Sequence, residues 1–361
     1  MSNSLGLEVI LDMESEIKLD TNSNSGGAVL EASYIEGDRE MRRELVAELR
    51  KIEKFVQWCM DTHEPAVVWD LDRSGRTVAR MSFAARGYYL SLGDWMQPIR
   101  LKYTRSLCVD LFWRSLEALD LLGVDLSMSR PEKRPYRWCV QSEAYVRLNG
   151  GPSSGALFNA LVERIREAGR QPKFRNKLRR QRNDARRNHS SALAYNERLL
   201  EGRSRLVVIR LDLGYRREVA QVTTPEQLQR DLNRFLGNQR HNRLFTHLLG
   251  FIFKVEEGPL RGLHTHVVLY FQDSEIRNHE NLGNLIGRYW ADQITQGRGT
   301  YFNCNRENYL YPGIGVISND DRAKRASLRD RVLGYLFKDD QHVAIKGKRV
   351  FRRGVMPRAI I

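Results

Sequence analysis

The sequence has few cysteines, no paired cysteine spacing and no long apolar run. Its four cysteines, Cys59, Cys108, Cys139 and Cys304, lie far apart, so neither a disulfide framework nor a zinc knuckle is expected. No apolar run approaches the length of about 18–20 residues that spans a bilayer, and the N-terminus is acidic where a secretory signal would be basic. These absences predict a cytoplasmic protein in a reducing compartment, with no membrane partner.

Acidic residues are too few to balance the basic ones. Lysine and arginine total 59 against 44 aspartates and glutamates, which gives a formal net charge of +15. A field of that sign and size favours a polyanion such as nucleic acid as the partner. Residues 1–36 run against this trend, with seven acids and only Lys18 as a base, and are predicted to form a disordered acidic tail.

Residues 37–150 are predicted to form an accessory domain of mixed helix and strand, with no motif that indicates its role. Apolar residues at helical spacing predict an amphipathic helix from Asp38 to about Asp61. Strand-like stretches at 66–69 and 138–148 flank a helical one at 106–122. The tryptophans of this region are expected in its core rather than in base stacking: Trp69, Trp95, Trp113 and Trp138.

A dense basic segment follows the glycine- and serine-rich stretch at 150–155. Residues 151–203 are predicted to form a basic helical linker, since residues 170–187 hold nine bases against one acid, Asp184. At this density, phosphate contact is favoured over a merely solvated helix face. The predicted DNA-contacting residues here are Arg170, Lys173, Arg175, Lys177, Arg179 and Arg180.

From residue 204 to 345 the pattern changes to alternating strands and helices. Strands are predicted at 206–213, 248–256, 263–271, 301–304 and 314–317, and helices at 224–242, 274–295 and 321–340. The order βαββαββα is that of a ferredoxin-like antiparallel sheet with one added strand and helices on one face. The predicted fold class is therefore α+β.

Two histidines lie two residues apart in an apolar strand, Leu263-His264-Thr265-His266-Val267. Residues two apart in a strand point to one face, so both imidazoles can share one metal ion. Glu256 ends the preceding strand, and a hairpin over 257–262 would return its carboxylate to the histidines. Glu257 has the opposite strand parity and would join the site only if a bulge shifted the register. The predicted metal ligands are Glu256, His264 and His266.

A tyrosine and a lysine share one face of the last predicted helix. Tyr335 and Lys338 are three residues apart, so the phenol and the ammonium can address one phosphate. A tyrosine beside a divalent ion suits phosphodiester transfer, in which the ion polarises the phosphate and the phenol attacks it. Taken alone, Tyr-x-x-Lys is a common tetrapeptide that also fits a packed tyrosine beside a snorkelling lysine.

Together these motifs resemble those of the HUH endonuclease superfamily, which has a His-x-His strand, an acidic residue on the strand before it and Tyr-x-x-Lys on a later helix. More narrowly, residues 206–354 are similar to the C-terminal domain of inovirus-type replication proteins of phages and prophages, of the single-tyrosine type. The stretches that carry this likeness are 262–266, 309–317 and 335–341. The likeness covers roughly the last 40% of the chain and none of the first 200 residues.

The resemblance implies a ferredoxin-like HUH domain that initiates rolling-circle replication. It implies a nick in single-stranded origin DNA, a 5′-phosphotyrosine intermediate, a free 3′-hydroxyl and later rejoining, with Tyr335 and Lys338 as catalytic residues. It implies Mg or Mn as the divalent metal and no small-molecule substrate. Because the chain has no Gly-x-x-x-x-Gly-Lys-Ser/Thr loop, a host helicase and a host polymerase are expected partners. A two-tyrosine relay is expected only if Tyr309 or Tyr311 approaches the site.

The tail at 346–361 has six bases and no acid, and is predicted to contact the DNA backbone. Its predicted contact residues are Lys346, Lys348, Arg349, Arg352 and Arg353. Two alternatives stay open at this point. One is a transposase or mobilisation relaxase with the same chemistry, and the other is a non-catalytic DNA-binding regulator whose histidines are structural.

Overall fold

The computed structural model describes residues 26–95, 102, 104–238, 241–337, 344–345 and 350–357. The chain divides into two compact units, of which the first holds residues 1–42, 101–104 and 182–361 and the second holds 43–100 and 105–181. Helix α1 (Gly26–Asp61) begins inside the predicted tail 1–36, and residues 1–25 of that tail lie outside the described residues. The first part of α1, up to Arg42, belongs to the first unit.

The second unit combines helices with two small antiparallel sheets. Strands β1 and β2 pair as a hairpin, and β4, β5 and β6 form a three-stranded sheet. The elements that follow α1 are β1 (Val67–Leu71), β2 (Thr77–Met81), α2 (Phe83–Trp95), β3 (Thr104–Arg105), α3 (Leu107–Ala118), β4 (Val124–Asp125), β5 (Tyr136–Cys139), β6 (Ala144–Arg147) and α4 (Ser154–Arg170).

Aromatic rings form the core of the second unit. Phe55, Trp95, Phe112 and Phe158 are fully buried there, and the ring of Phe55 lies 5.7–6.0 Å from the other three. The expectation of core tryptophans is confirmed for Trp95. It is wrong for two others, since 39% of Trp69 and 46% of Trp138 are exposed.

The first unit continues from α5 (Pro172–Leu200), which begins in the second unit, into the long strands of the C-terminal half. Its further elements are β7 (Arg205–Tyr215), α6 (Arg217–Ala220), α7 (Pro225–Asn238), β8 (Leu248–Gly258), β9 (Gly262–Gln272), α8 (His279–Arg288), β10 (Gly299–Asn303), β11 (Gly315–Ser318), α9 (Arg322–Ala326), α10 (Gly334–Phe337), β12 (Ala344–Ile345) and β13 (Phe351–Arg353). Short 3₁₀ turns occur at 243–245, 273–275 and 304–306, and π-helical turns at 289–294 and 327–333.

Six strands of this unit form one antiparallel sheet. The order across it is β10, β7, β9, β8, β13, and β11 also pairs with β7. Strands β7, β8 and β9 are eleven residues long each and extend the predicted strands by at most two residues at either end. The prediction of an α+β fold with antiparallel sheets is therefore confirmed.

Helices cover both faces of this sheet. On β9, Val267 and Leu269 face a core that contains residues of α7 and α8. Val268 and Tyr270 face the opposite way, toward a core that contains residues of α5 and the segment 327–337. The prediction of helices on one face is wrong because α5, which the sequence assigns to a linker, buries apolar residues such as Tyr195 against the second face.

A three-residue connection joins β8 to β9 and closes the hairpin that carries the histidines. Gly258 pairs with Gly262 at its base. Gly262 has φ +59°, and a Cβ there would meet the carbonyl oxygen of Ala220. Only glycine adopts this conformation without strain and leaves room for that close approach. The hairpin is thereby fixed in register up to its end.

The predicted helix at 321–340 is interrupted. It consists of α9, a π-helical turn at 327–333 and the single turn of α10, while residues 338–340 lie outside the described residues. The helix predicted at 274–295 is divided in the same way, into a 3₁₀ turn, α8 and a π-helical turn. Among the helices of the described ranges, none is both long and apolar enough to cross a membrane.

Candidate active site

The histidines and Glu256 lie on one face of the β8–β9 hairpin. Glu256 is directly opposite His264, and Lys254 is directly opposite His266. Since alternate residues of a strand share a face, all four side chains project to the same side of the sheet. Glu257 is opposite Leu263 and has the other parity. The strand-parity prediction in favour of Glu256 is therefore confirmed.

The three predicted metal ligands converge tightly. One ligand atom from each of Glu256, His264 and His266 lies within 4.8 Å of the other two. The imidazole centroids are 5.1 Å apart, and Nε2 of His266 is 3.3 Å from Oε2 of Glu256. Both histidines are 2% exposed. Two imidazoles and a carboxylate form a donor set for a divalent cation, so this buried cluster can hold a metal ion.

Both imidazoles have their Nδ1 atoms committed to acceptors. Nδ1 of His266 lies 2.6 Å from Oδ1 of Asp212, and Nδ1 of His264 lies 3.1 Å from the carbonyl oxygen of Gly262. A carbonyl and an ionised carboxylate only accept hydrogen bonds, so each Nδ1 must donate. A neutral imidazole then has a lone pair on Nε2, which is the atom a metal binds. Nε2 of His266 is buried and has no hydrogen-bond partner, as expected of an atom kept for a ligand.

Burial keeps His264 neutral. Burial, the nearby guanidinium of Arg261 and the imidazole of His266 together hold the pKa of His264 well below its usual range. Desolvation and positive neighbours both disfavour the imidazolium form. At neutral pH the ring is therefore in the form that binds a cation.

Asp212 was not predicted from the sequence, although it is the most buried charged group of the site. It lies on β7 directly opposite His266 and is 0% exposed. Its carboxylate is 3.4 Å from Arg39, 3.6 Å from Arg261 and 3.9 Å from Arg210. Burial alone would raise the pKa of Asp212, but His266 and these guanidinium groups outweigh it and hold the pKa well below its usual range. The only sequence signal for it was an acid in an otherwise buried strand, Arg210-Leu211-Asp212-Leu213.

Glu256 also forms an ion pair with an arginine. Nε of Arg42, on α1, donates to Oε2 of Glu256 at 3.2 Å. Burial raises the pKa of Glu256, but Arg42 and the two histidines outweigh it, so that this pKa is also well below its usual range. Glu256 is therefore an ionised carboxylate, which is the form that coordinates a metal. Arg42 was not among the predicted site residues, because it lies 214 positions from Glu256 and no sequence pattern relates α1 to the β8–β9 hairpin.

Tyr335 lies against the metal-ligand cluster. On α10, its ring is 5.8 Å from that of His266, in an edge-on arrangement, and the guanidinium of Arg210 lies 5.4 Å from its ring centre. Burial and the negative charge of Glu256 raise the pKa of Tyr335, while Arg39, Arg210 and Arg42 act to lower it. The segment that carries the tyrosine thus packs on the same sheet face from which the two histidines project.

A second tyrosine is within electrostatic range of the site. Burial raises the pKa of Tyr309 well above its usual value, and the charges of Arg210, Arg39 and Asp212 also act on it. Tyr311 is 48% exposed, with the guanidinium of Arg331 over its ring at 3.8 Å. Of the two tyrosines whose approach the sequence left open, Tyr309 is therefore the one near the charged cluster.

The remaining predicted residues fall into three groups. Lys338, Lys346, Lys348 and Arg349 lie outside the described residues. On α5, five of the predicted DNA-contacting residues are exposed to solvent: Lys173, Arg175, Lys177, Arg179 and Arg180.

The third group has intramolecular partners. The guanidinium of Arg170 donates to the carbonyl oxygens of Met60 at 3.0 Å and Thr62 at 2.7 Å, at the C-terminal end of α1. Arg352 donates to Asn233 at 2.7 Å, and Arg353 donates to Ser191 at 2.8 Å. These contacts give the three arginines a structural role in the folded chain.

Comparisons with protein-family models, with curated proteins and with solved structures found no match to this chain.

Proposed function

We propose that this chain is a metal-dependent, single-tyrosine DNA-nicking and joining enzyme that initiates rolling-circle replication. The observation that carries the proposal is the position of the Tyr335 ring, 5.8 Å from that of His266, beside the Glu256–His264–His266 cluster. A phenol beside a cation site in a buried and positively charged pocket suits attack on a phosphodiester.

The fold supports the same proposal. The succession of β7, α7, β8, β9, α8 and β10, with the order β10-β7-β9-β8 in the sheet, supports the proposal of a split βαβ, or ferredoxin-like, domain. The resemblance to HUH endonucleases in the sequence implies this sheet, with the His-x-His strand at its centre. Because one fold can host many activities, the geometry of the site is the stronger support.

The chemistry assigns a role to each residue. The resemblance implies Mg or Mn, and a divalent ion bound by Glu256, His264 and His266 would polarise the scissile phosphate and stabilise its growing negative charge. The oxygen of Tyr335 attacks phosphorus, the bond to the 3′-oxygen breaks, the phenolic proton passes to water and the departing oxygen takes up a proton. The product is a 5′-phosphotyrosine ester with a free 3′-hydroxyl, and attack by a 3′-hydroxyl reverses the step and rejoins the strand. Lys338 would orient the phosphate.

The test is capture of the covalent intermediate. Single-stranded oligonucleotides tiled over the DNA that carries the gene, labelled at the 3′ end, are incubated with the protein and Mn²⁺ and then denatured. A labelled protein band that resists denaturant is expected, and Tyr335→Phe should abolish it because the attacking oxygen is gone. EDTA should abolish it as well.

Two other tyrosines serve as comparisons. Tyr311→Phe removes an exposed phenol and should leave the adduct unchanged, and Tyr309→Phe should retain it. If Tyr335→Phe forms the adduct as the parent does, Tyr335 is not the nucleophile. If no oligonucleotide forms an adduct with any divalent metal, while binding to DNA survives EDTA, the chain is a non-catalytic DNA binder.

A further inference from the structure

Helix α1 carries two arginines into the candidate active site. The carboxylate of Asp38 accepts hydrogen bonds from the backbone N–H groups of Leu260, at 2.6 Å, and Arg261, at 2.8 Å, in the turn between β8 and β9. Asp38 is 1% exposed, so this contact anchors the helix firmly. Arg39 and Arg42 follow, and residues three apart share a helix face. They reach Asp212 and Glu256, respectively.

Positive charge exceeds negative charge around these contacts. Among the described residues, three arginines lie close to the carboxylate of Asp212, namely Arg39, Arg210 and Arg261, while Arg42 pairs with Glu256. A divalent ion on the Glu256 cluster would enlarge this excess. Buried charge without a counter-charge is costly, so an anion bound in this site would be stabilised by the surplus positive charge.

One of these arginines has an unused donor. The side chain of Arg210 is 12% exposed, and its Nε is buried without a hydrogen-bond partner. Its guanidinium lies 5.4 Å from the ring centre of Tyr335 and 3.9 Å, through Nε, from the carboxylate of Asp212. Buried donors are normally satisfied, so an open donor next to the proposed nucleophile points to a ligand. The planar guanidinium donates in pairs, a geometry that matches the oxygens of a phosphate.

We propose that Arg39, Arg42 and Arg210 form a phosphate-binding subsite beside Tyr335. Helix α1, which precedes the His-x-His strand by more than two hundred residues, thus contributes ligands for the reacting group. The inference rests on the proposed function for the identity of the phosphate, which is the scissile one in the DNA backbone. The subsite itself follows from the charges and the open donor, and binds inorganic phosphate as well.

The experiment separates binding from catalysis. The protein with Tyr335→Phe, kept in EDTA, cannot cut and holds no metal. Binding of inorganic phosphate is followed by ³¹P NMR, and binding of a short single-stranded oligonucleotide by fluorescence anisotropy at several salt concentrations. In this background, Arg39→Gln and Arg42→Gln should each weaken phosphate binding by about tenfold to a hundredfold, the usual effect of losing a charge-assisted hydrogen bond. Each should also lower the salt-dependence slope of oligonucleotide binding by about 0.7, the value for one lost contact to a single strand.

Two comparison variants make the result specific. Lys51→Gln, on a turn of α1 where the lysine is 59% exposed, should change neither quantity. Arg39→Lys and Arg42→Lys keep the charge but lose the paired donors, so phosphate binding should stay several-fold below that of the parent. These lysine variants also serve if a glutamine variant does not fold.

Two results would overturn the subsite. One is unchanged phosphate affinity and salt slope in both glutamine variants. The other is full recovery by lysine, since positive charge alone, and not the paired donors of a guanidinium, would then account for phosphate binding. The covalent adduct is a separate readout. An adduct with unaltered phosphate binding in the variants would refute only the subsite, whereas lost phosphate binding without any adduct in the parent would refute only the nicking activity.

Discussion

Asp212 decides which nitrogen of His266 is available to a metal. Its ionised carboxylate accepts a hydrogen bond of 2.6 Å from the Nδ1–H group, so the lone pair of the neutral ring lies on Nε2 and is directed toward Glu256. Carboxylates that hold metal-binding histidines in this way fix both the tautomer and the ring orientation. Asp212 therefore positions a metal ligand without needing to touch the metal.

Asp212→Asn should weaken metal binding about tenfold to a hundredfold, the usual effect of changing such a partner. The amide can turn its NH₂ group toward Nδ1, which would force the proton onto Nε2 and remove the lone pair from the metal. Mn²⁺ affinity measured by electron paramagnetic resonance checks the first effect. The ¹⁵N chemical shifts of the His266 ring check the second, and a purely structural role would not change the tautomer.

Asp320→Asn provides the matched control, because that carboxylate is exposed and lies in the same unit. It should leave the Mn²⁺ affinity as it is in the parent. Retention of both the affinity and the Nδ1-protonated tautomer in Asp212→Asn would show that the carboxylate does not select the tautomer.

Strand parity was enough to predict Glu256, His264 and His266 from the sequence, because their relation depends on one hairpin. Asp212 and Arg39 were not predictable in the same way. Asp212 contacts His266 because β7 pairs with β9, and these two residues are 54 positions apart. Arg39 contacts Asp212 because α1 packs against the site, and these two residues are 173 positions apart. Local periodicity carries no information about either pairing.

Helix α5 packs closely on the sheet at one glycine of β8. A Cβ at Gly250 would overlap the hydroxyl of Tyr195 and lie 2.8 Å from Cδ1 of Leu199, both on α5. Gly250 also adjoins the register shift between residues 248 and 250. The absence of a side chain here lets the helix backbone approach the strand.

Gly250→Ala should lower the free energy of unfolding by about 1–3 kcal/mol, the usual cost of overpacking a core. Gly237→Ala is the matched change, because a Cβ there meets nothing within 4 Å and the residue is helical, in α7. It should raise stability by about 0.5–1 kcal/mol, since alanine favours a helix over glycine. Urea unfolding of both variants measures the difference, and equal stabilities would mean that α5 does not pack against β8 as described.

The long strands of the C-terminal half were predictable because each is a mostly apolar run, rich in β-branched or aromatic residues, that ends at turn residues. The interruption of the helix predicted at 321–340 could not be predicted. A π-helical turn keeps an apolar pattern close to that of an α-helix while its backbone hydrogen bonds differ. The second helical face was missed because a high density of basic residues in α5 concealed apolar ones, such as Tyr195 and Leu199, on its buried side.

At the scale of the whole molecule, the buried ionisable groups of the site make the free energy of unfolding depend on pH. The pKa values of Asp212, Glu256 and His264 all lie well below their usual ranges in the folded chain. The unfolded chain therefore takes up protons first as the pH falls. For His264 this begins near pH 6.5, and for the two carboxyls near pH 4, the approximate pKa values in unfolded chains.

In EDTA, the free energy of unfolding should therefore decrease below about pH 6.5, with a slope of at most about 1.4 kcal/mol per pH unit for each additional proton bound by the unfolded chain. His264→Gln should remove the part of the decrease between about pH 6.5 and pH 5. His241→Gln, which changes an exposed histidine of the same unit, should not. Thermal unfolding followed by circular dichroism across this pH range provides the measurement, and a decrease that persists unchanged in His264→Gln would contradict the assignment.

The β8–β9 hairpin has a further consequence for how the chain folds. All three ligands lie within eleven consecutive residues, and their geometry depends on a single pairing. Hairpins close in about 1–10 μs, well before distant strands assemble, so the ligand set can form early in folding. A slip of one residue would turn both imidazoles away from Glu256, because it exchanges the faces of the strand. A cation that bound at this stage would bind the correctly aligned hairpin in preference to its slipped forms, and would thereby stabilise the correct register of the two strands.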